Sequence, residues 1–222
     1  MGCDRQDRKT YKDVRFQHRN IGRKMTTIIA YQGEGYSLLC SDSRISSMDS
    51  SGLVSQISTT GGAKIATNGK YLLGAAGDMR AINILHHAFT PPTPPTGIKG
   101  LDKFITVSFI PELRKCFDAQ GYSLPERDSS EHIAEQGSTI LVSVNGVIYV
   151  IDGDYSWASD TNRLYALGTG AQYALGALQI LAGNKKLQPL QAKSITLKAI
   201  NVASRFDPHT GSPFHTFIQQ TK

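Results

Sequence analysis

The chemistry of this chain starts at Met25-Thr26-Thr27-Ile28-Ile29-Ala30-Tyr31, a threonine at the head of an apolar strand and directly behind a methionine that can be removed. With Thr26 as first residue, one side chain carries a nucleophilic hydroxyl and the same residue carries a primary amine able to take its proton. A strand that happens to hold two threonines is the plain alternative, because Thr is an ordinary β-former. The choice between them rests on what the remaining elements bring to that strand end.

Residues 26–32 read as a strand, Gly33-Glu34-Gly35 as a tight turn, and residues 36–43 as a returning strand with a run apolar enough for burial on both faces. That run ends in Ser41-Asp42-Ser43-Arg44, two charges and two hydroxyls at an apolar rim, which in isolation is a solvated strand end. Residues 45–62, rich in Ser, Gly and Thr, read as a loop or a polar, irregular hairpin. Residues 64–76 form a second hairpin around Asn68-Gly69, and residues 138–151 a third around Asn145-Gly146, the strongest two-residue turn signal. Asp78 is placed to cap a helix with Ile82, Leu85 and Phe89 on one face. Gly77 then stands where strand gives way to helix N-terminus, and its amide can either hold a developing oxyanion or merely serve a sharp turn.

After the stiff Pro-rich stretch 91–97, helical spacing resumes over residues 101–117, and 121–136 is polar and exposed. Residues 163–167 are one more strand, running into Gly168-Thr169-Gly170. Two helices follow, 171–181 with Ala171, Leu175 and Leu178 in register and 190–205 with Ala192, Ile195, Ala199 and Val202. Phe206-Asp207-Pro208-His209-Thr210-Gly211 is a turn, and residues 214–218 return as an edge strand. Hairpins, helix pair, hairpins, helix pair and final strand predict an α+β protein: a four-layer αββα sandwich of two antiparallel sheets flanked by helices.

A chain of 222 residues with 40% apolar content supports one buried core, so residues 26–222 are expected to be a single domain behind a leader, 1–25. The net charge of +6 does not point to nucleic acid: residues 1–24 hold eight Lys and Arg against three Asp, a balance of +5 that leaves +1 for the body. No run reaches the roughly 18 apolar residues of a membrane span, and the charged start is no signal peptide, so a soluble, cytoplasmic protein is expected. Cys3, Cys40 and Cys116 are odd in number and widely spaced, which suits reduced structural thiols. His86-His87, His209 and His215 form no metal-ligand pattern, and no residue pattern calls for a cofactor.

Taken together, Thr26-Thr27-Ile28, Ser41-Asp42-Ser43-Arg44, Lys64-Ile65, Ala76-Gly77-Asp78, Gly168-Thr169-Gly170 and the 207–211 turn resemble a proteasome β-type subunit, or the related bacterial ATP-dependent threonine protease, both N-terminal nucleophile hydrolases. The resemblance spans residues 26–222. It implies a threonine-type endopeptidase in which Thr26 is the nucleophile, Lys64 the ammonium beside it, Asp42 the carboxylate fixing Lys64, and Gly77 the oxyanion donor. Thr169, Asp207 and Thr210 would hold the free α-amino group. The chemistry is consistent with those roles, because an α-amine titrates at about 7.7–8.0 and a lysine at about 10.4, so one is partly a free base while the other stays cationic. A cation beside Thr26 further favours the ionised hydroxyl.

The family often carries serine at the positions of Thr169 and Thr210; both keep the hydroxyl. Self-processing members generally have glycine before the threonine, whereas Met25 suits translation starting there and removal of the methionine. Residues 1–24 are then either a short propeptide or an upstream extension never made. By the same resemblance Ile45, Ala75 and Met79 border an uncharged specificity pocket, the substrate is a peptide or unfolded protein, and the assembly is a ring of identical subunits with an ATPase as a candidate partner. Two other readings stay open on the sequence: a non-catalytic scaffold subunit, and an amidohydrolase of the same superfamily acting on a small amide.

Overall fold

The computed structural model describes residues 26–48, 54–122, 137–183 and 185–221. The expectations for the leader, for Met25 and Cys3, and for most of the polar stretch 121–136 lie outside the described residues. Of the seventeen elements among the described residues, the first two make the central hairpin: β1 (Thr27–Gly33) runs against β2 (Tyr36–Ser41), with Ile28 opposite Ser41. β10 (Leu164–Gly168) flanks β1 and β11 (His215–Gln220) flanks β2, which completes an antiparallel sheet in the order β10-β1-β2-β11. The last strand is therefore at an edge, as its position predicts.

The second sheet, β5-β6-β7-β8-β9, is antiparallel throughout and is built from β5 (Ile65–Asn68), β6 (Tyr71–Ala76), β7 (Thr139–Val144), β8 (Val147–Ile151) and the two-residue β9 (Trp157–Ala158). The Asn145-Gly146 turn falls where expected, with φ of 49° and 75°. The other is shifted by one residue: Asn68 still pairs with Tyr71, so Gly69-Lys70 makes the turn. The Asn68 side chain explains this, because its Nδ2 donates to the Phe89 carbonyl and holds the residue in the strand. Between the sheets' sequences, β3 (Arg44–Met48) and β4 (Val54–Thr59) pair as a small separate hairpin with an irregularity between Ser47 and Met48. The hairpin alternative for 45–62 is thus the one realised.

Helices α1 (Met79–His87), α2 (Leu101–Phe104) and α3 (Ile110–Ala119) pack on the second sheet through Ile82, Leu85, Leu101, Leu113 and Phe117 against Tyr71, Leu73, Val142 and Tyr149. Residues Ile105–Phe109 between α2 and α3 are π-helical. Pro111 has no N–H to give back to Val107, and the turn before it widens instead. Helices α4 (Ala171–Ala182) and α5 (Pro189–Phe206) pack on the first sheet through Ala174, Leu178, Ala192, Ala199 and Ala203. The buried face of α4 is Ala174, Leu178 and Ala182, not the expected Ala171, Leu175 and Leu178; Leu175 is exposed. Small residues allow α4 to lie close on β1 and β10, and that closeness selects the face. A third apolar cluster, with Ile28, Ala30 and Leu39 from one sheet and Ile65, Leu72, Leu141 and Ile148 from the other, joins the sheets face to face.

Candidate active site

The pairing of β1 with β2 sets the head of β1 beside the end of β2. Thr27 and Asp42 exchange two hydrogen bonds there, Asp42 N–H to the Thr27 carbonyl at 3.1 Å and Thr27 N–H to Asp42 Oδ1 at 3.0 Å. Lys64 comes from the opposite sheet, one residue before β5. Its Nζ lies 2.8 Å from the same Oδ1, with both side chains fully buried, and it also donates to the Arg44 carbonyl. The other carboxylate oxygen accepts Arg44 N–H at 3.0 Å and Gly211 N–H at 3.2 Å. Asp42 thus receives four donors, which occupy its lone pairs.

Burial pushes the Asp42 carboxyl up from its ordinary value, opposed by Lys64 and by the amides of Thr27 and Gly211. Burial likewise pulls the Lys64 ammonium down, opposed by Asp42. The saturated hydrogen bonding of Asp42 favours its ionised form against that burial. Because Thr27 N and Lys64 Nζ share one oxygen, the ammonium sits within one residue of Thr26, which is itself buried in the 222-residue chain.

A second group of polar residues closes on β1 from the other side. Thr169 follows β10, and Asp207 ends α5. Asp207 Oδ2 accepts the Thr169 hydroxyl at 2.8 Å and the Thr210 hydroxyl at 2.5 Å, while its Oδ1 accepts His209 N–H at 3.1 Å. The loop holding these residues is tied back to β3: Arg44 donates to the Pro208 carbonyl at 2.7 Å, and Ser46 Oγ meets His209 Nδ1 at 2.7 Å. The structure therefore joins Asp42 with Lys64, and Thr169 with Asp207 and Thr210, in two clusters that meet at Thr27, next to Thr26.

Gly77 lies between β6 and α1 with φ +133°, a conformation that favours glycine, and a Cβ there would sit 2.7 Å from Ser138 Oγ and 2.8 Å from the Gly137 carbonyl. The following residue is fixed as well: Asp78 N–H donates to Ser138 Oγ at 3.0 Å, and its side chain caps α1 at Arg80 N–H. Of the three residues expected to border a pocket, Ala75 is fully buried and Met79 partly buried in the helix-side core of the second sheet. Ile45 stands on β3 and belongs to none of the three apolar clusters. Two surface grooves, one beside Glu34 and Lys186 and one beside Leu190 and Ile218, include none of Thr26, Asp42 and Lys64. Among the described residues, no three His, Cys, Asp or Glu side chains converge as metal ligands would, and no helix is long and apolar enough to cross a membrane.

Four residues outside the sequence-derived set complete the arrangement. Thr27 contributes its amide to Asp42 and its hydroxyl to the second cluster, at 2.6 Å from Thr210 Oγ. Gly170 donates its N–H to that same hydroxyl at 3.0 Å, Gly211 donates to Asp42, and Arg44 anchors the 207–211 loop. They stand inside the quoted motifs, but nothing local gives them a role, since their partners lie 143 or more residues away in most cases.

No protein-family model and no curated protein matches the chain. Solved structures do match its fold. Thiobacillus denitrificans BPH superposes with a TM-score of 0.66 at 18% identity, over 89% of this chain and 99% of that one, and its complex with epoxomicin does so at the same score and identity over 89% and 100%. Eukaryotic HslV from Trypanosoma brucei matches at TM-score 0.56 and 17% identity over 88% of this chain and 99% of that one. An Anbu mutant from Hyphomicrobium sp. strain MC1 matches at TM-score 0.59 and 14% identity over 89% and 84%. The chain shares the mixed helix and antiparallel-sheet fold of these solved structures.

Proposed function

We propose that this chain, shortened so that Thr26 is its first residue, is a threonine-type peptidase of the N-terminal nucleophile class. The observation that carries the reading is the Lys64–Asp42 pair, wholly buried and hydrogen-bonded through one oxygen to the backbone beside Thr26. Burying two charges is weak support for stability, since desolvation offsets their attraction. An ammonium kept next to a candidate nucleophile has a chemical use instead: it favours the ionised hydroxyl and lowers the basicity of the α-amine toward neutral pH.

In this mechanism Thr26 Oγ attacks the scissile carbonyl carbon and its proton passes to the α-amine. The oxyanion that forms is held by the Gly77 amide. The C–N bond breaks as the amine returns the proton to the departing peptide amine, which leaves an ester on Thr26. Water then adds to that ester, giving its proton to the amine; the C–O bond breaks, the acid product leaves and Thr26 regains its hydroxyl proton. Thr169, Asp207 and Thr210 orient the amine throughout. The same reading makes the domain a four-layer αββα sandwich, residues 1–25 a leader absent from the active chain, and Ile45, Ala75 and Met79 the border of an uncharged specificity pocket. It also makes the protein a cytoplasmic homo-oligomeric ring acting on peptides or unfolded protein, with an ATPase as candidate partner and no cofactor.

The test is an intact-mass measurement on active protein combined with a fluorogenic peptide panel. Active molecules should begin at Thr26, Thr26→Ala should fold and hydrolyse nothing, and Thr26→Ser should retain part of the rate. Full activity from molecules that all keep residues 1–25 sinks the mechanism, because the Thr26 nitrogen is then an amide and cannot act as base. A folded chain beginning at Thr26 that cleaves a small amide but no peptide would replace the peptidase reading with amidohydrolysis.

A further inference from the structure

We propose that Thr27, not assigned any role by its sequence, is a positioning residue that clamps residue 26 between the two clusters; this rests on the reading of Thr26 as nucleophile. The direction of each hydrogen bond follows from the donors available. Asp207 Oδ2 can only accept, so the single hydroxyl protons of Thr169 and Thr210 both point to it, over 2.8 and 2.5 Å. Thr210 Oγ therefore has no proton left for its neighbour, and the 2.6 Å contact with Thr27 Oγ is a bond donated by Thr27. Thr27 Oγ in turn accepts the Gly170 N–H at 3.0 Å. The chain of donors runs one way: Gly170 amide, Thr27, Thr210, Asp207.

Two consequences follow. The hydroxyls of Thr169 and Thr210, having given their protons to Asp207, offer only lone pairs to an α-amine at residue 26. They can accept its N–H groups but cannot occupy its lone pair, which stays available for the Thr26 proton. The second consequence concerns placement. Thr27 is fully buried and its N–H is held by Asp42 Oδ1 at 3.0 Å, so its backbone is gripped by the charged cluster and its side chain by the hydroxyl cluster. The carbonyl of Thr26 packs closely against Gly168, where a Cβ would come within 1.5 Å of it. Of residue 26, these contacts leave only the hydroxyl and the nitrogen.

The experiment compares chains beginning at Thr26, carrying Thr27, Thr27→Val, Thr27→Ala or Thr27→Ser, by three readouts. These are kcat and KM on a fluorogenic peptide, the rate constant for covalent capture of Thr26 by a peptide epoxyketone, and the folded fraction by circular dichroism. Thr27→Val keeps the branched shape and loses the hydroxyl. It is expected to lower kcat and the capture rate by on the order of a hundredfold, as for a misplacement of about 1 Å, with KM within about twofold. Thr27→Ser should restore both to within about tenfold. Thr27→Ala, which puts no methyl against the Gly170 amide, covers the case in which the valine chain does not fold, and should lose at least about tenfold. Rates that fall only in proportion to the folded fraction, or a folded Val or Ala chain as reactive as wild type, overturn the inference. Wild-type protein that is captured at Thr26 yet turns over no peptide removes the peptidase reading and leaves this one standing. A chain beginning at Thr26 that is not captured removes both.

Discussion

Replacing Lys64 with methionine tests the electrostatic argument most directly, because it keeps much of the side-chain volume while deleting the charge and the hydrogen bonds donated to Asp42 and Arg44. Asp42 then loses one of its four donors, the charged one, at a position with no solvent exposure. Breaking a buried pair from one side costs about 3–5 kcal/mol, because the remaining charge has neither water nor partner. The turnover loss from one electrostatic group in an enclosed site is about 10²–10³-fold. The sign of the pH dependence is also fixed. Lys64 is what pulls the Asp42 carboxyl down against burial, so without it the carboxyl titrates higher still above its unfolded value of about 3.9. A raised folded pKa gives stability below the unfolded value that is lost as pH rises through the folded one, so Lys64→Met should be penalised more at pH 8 than at pH 5. Urea denaturation at both pH values and peptidase assays measure these effects. Adding Asp42→Asn should recover only part of the stability, since no charge is then stranded but its NH2 faces a backbone N–H that the carboxylate accepted, and none of the rate. A Lys64→Met protein within about 1 kcal/mol of wild type, with turnover within about threefold, would refute the reasoning.

Two further perturbations address separate features. Gly170 has an ordinary helical-region φ of −84°, so alanine there meets no backbone obstacle, only the atoms its Cβ would strike: Thr210 Oγ at 2.5 Å, Thr27 Oγ at 2.6 Å and Asp207 Oδ2 at 3.0 Å. Gly170→Ala should cost about 1–3 kcal/mol and roughly 2–12 °C in Tm, with turnover down about a hundredfold; calorimetry showing an unchanged Tm would contradict the packing described. Burial holds His86 below its ordinary value of 6.5, against the opposing hydrogen bond to the Ala63 carbonyl. The unfolded chain then takes up a proton first, so stability should fall as pH drops below about 6.5, and His86→Gln should flatten that slope. Superimposable stability curves for the two proteins between pH 5 and 8 would rule this out.

The sequence makes the alternation of strands and helices legible because each hairpin and cap has a local chemical cause. Asn145-Gly146 can take two left-handed residues in succession, and Asp78 has an amide two residues ahead of it to accept. It is less informative where a distant contact decides. Asn68 looks like a turn residue until the Phe89 carbonyl is known to be beside it. Leu175 looks like core because it is apolar, whereas the sheet takes the smaller Ala174 and Ala182. The same division runs through the candidate site. Asp42 and Lys64 are visible as charges at the ends of apolar strands. Thr27 reads as a common β-former, and only its partners at Gly170 and Thr210 distinguish it.

Those partners are also far away in time. A ribosome makes Thr26 and Thr27 early, yet Gly170, Gly211 and Thr210 follow the residues they bond by 143, 169 and 183 positions. At about 5–20 residues per second, the last of these arrives roughly 10–35 s after Thr27. Until then β1 lacks β10, Asp42 lacks one of its donors, and the acceptor hydroxyls are incomplete. An N-terminus exposed early on a nascent chain therefore carries a threonine with nothing to activate it. Long-range pairing of this kind slows folding, but on the proposed reading it also means that hydrolytic capability arises only after residues 207–211 have been made.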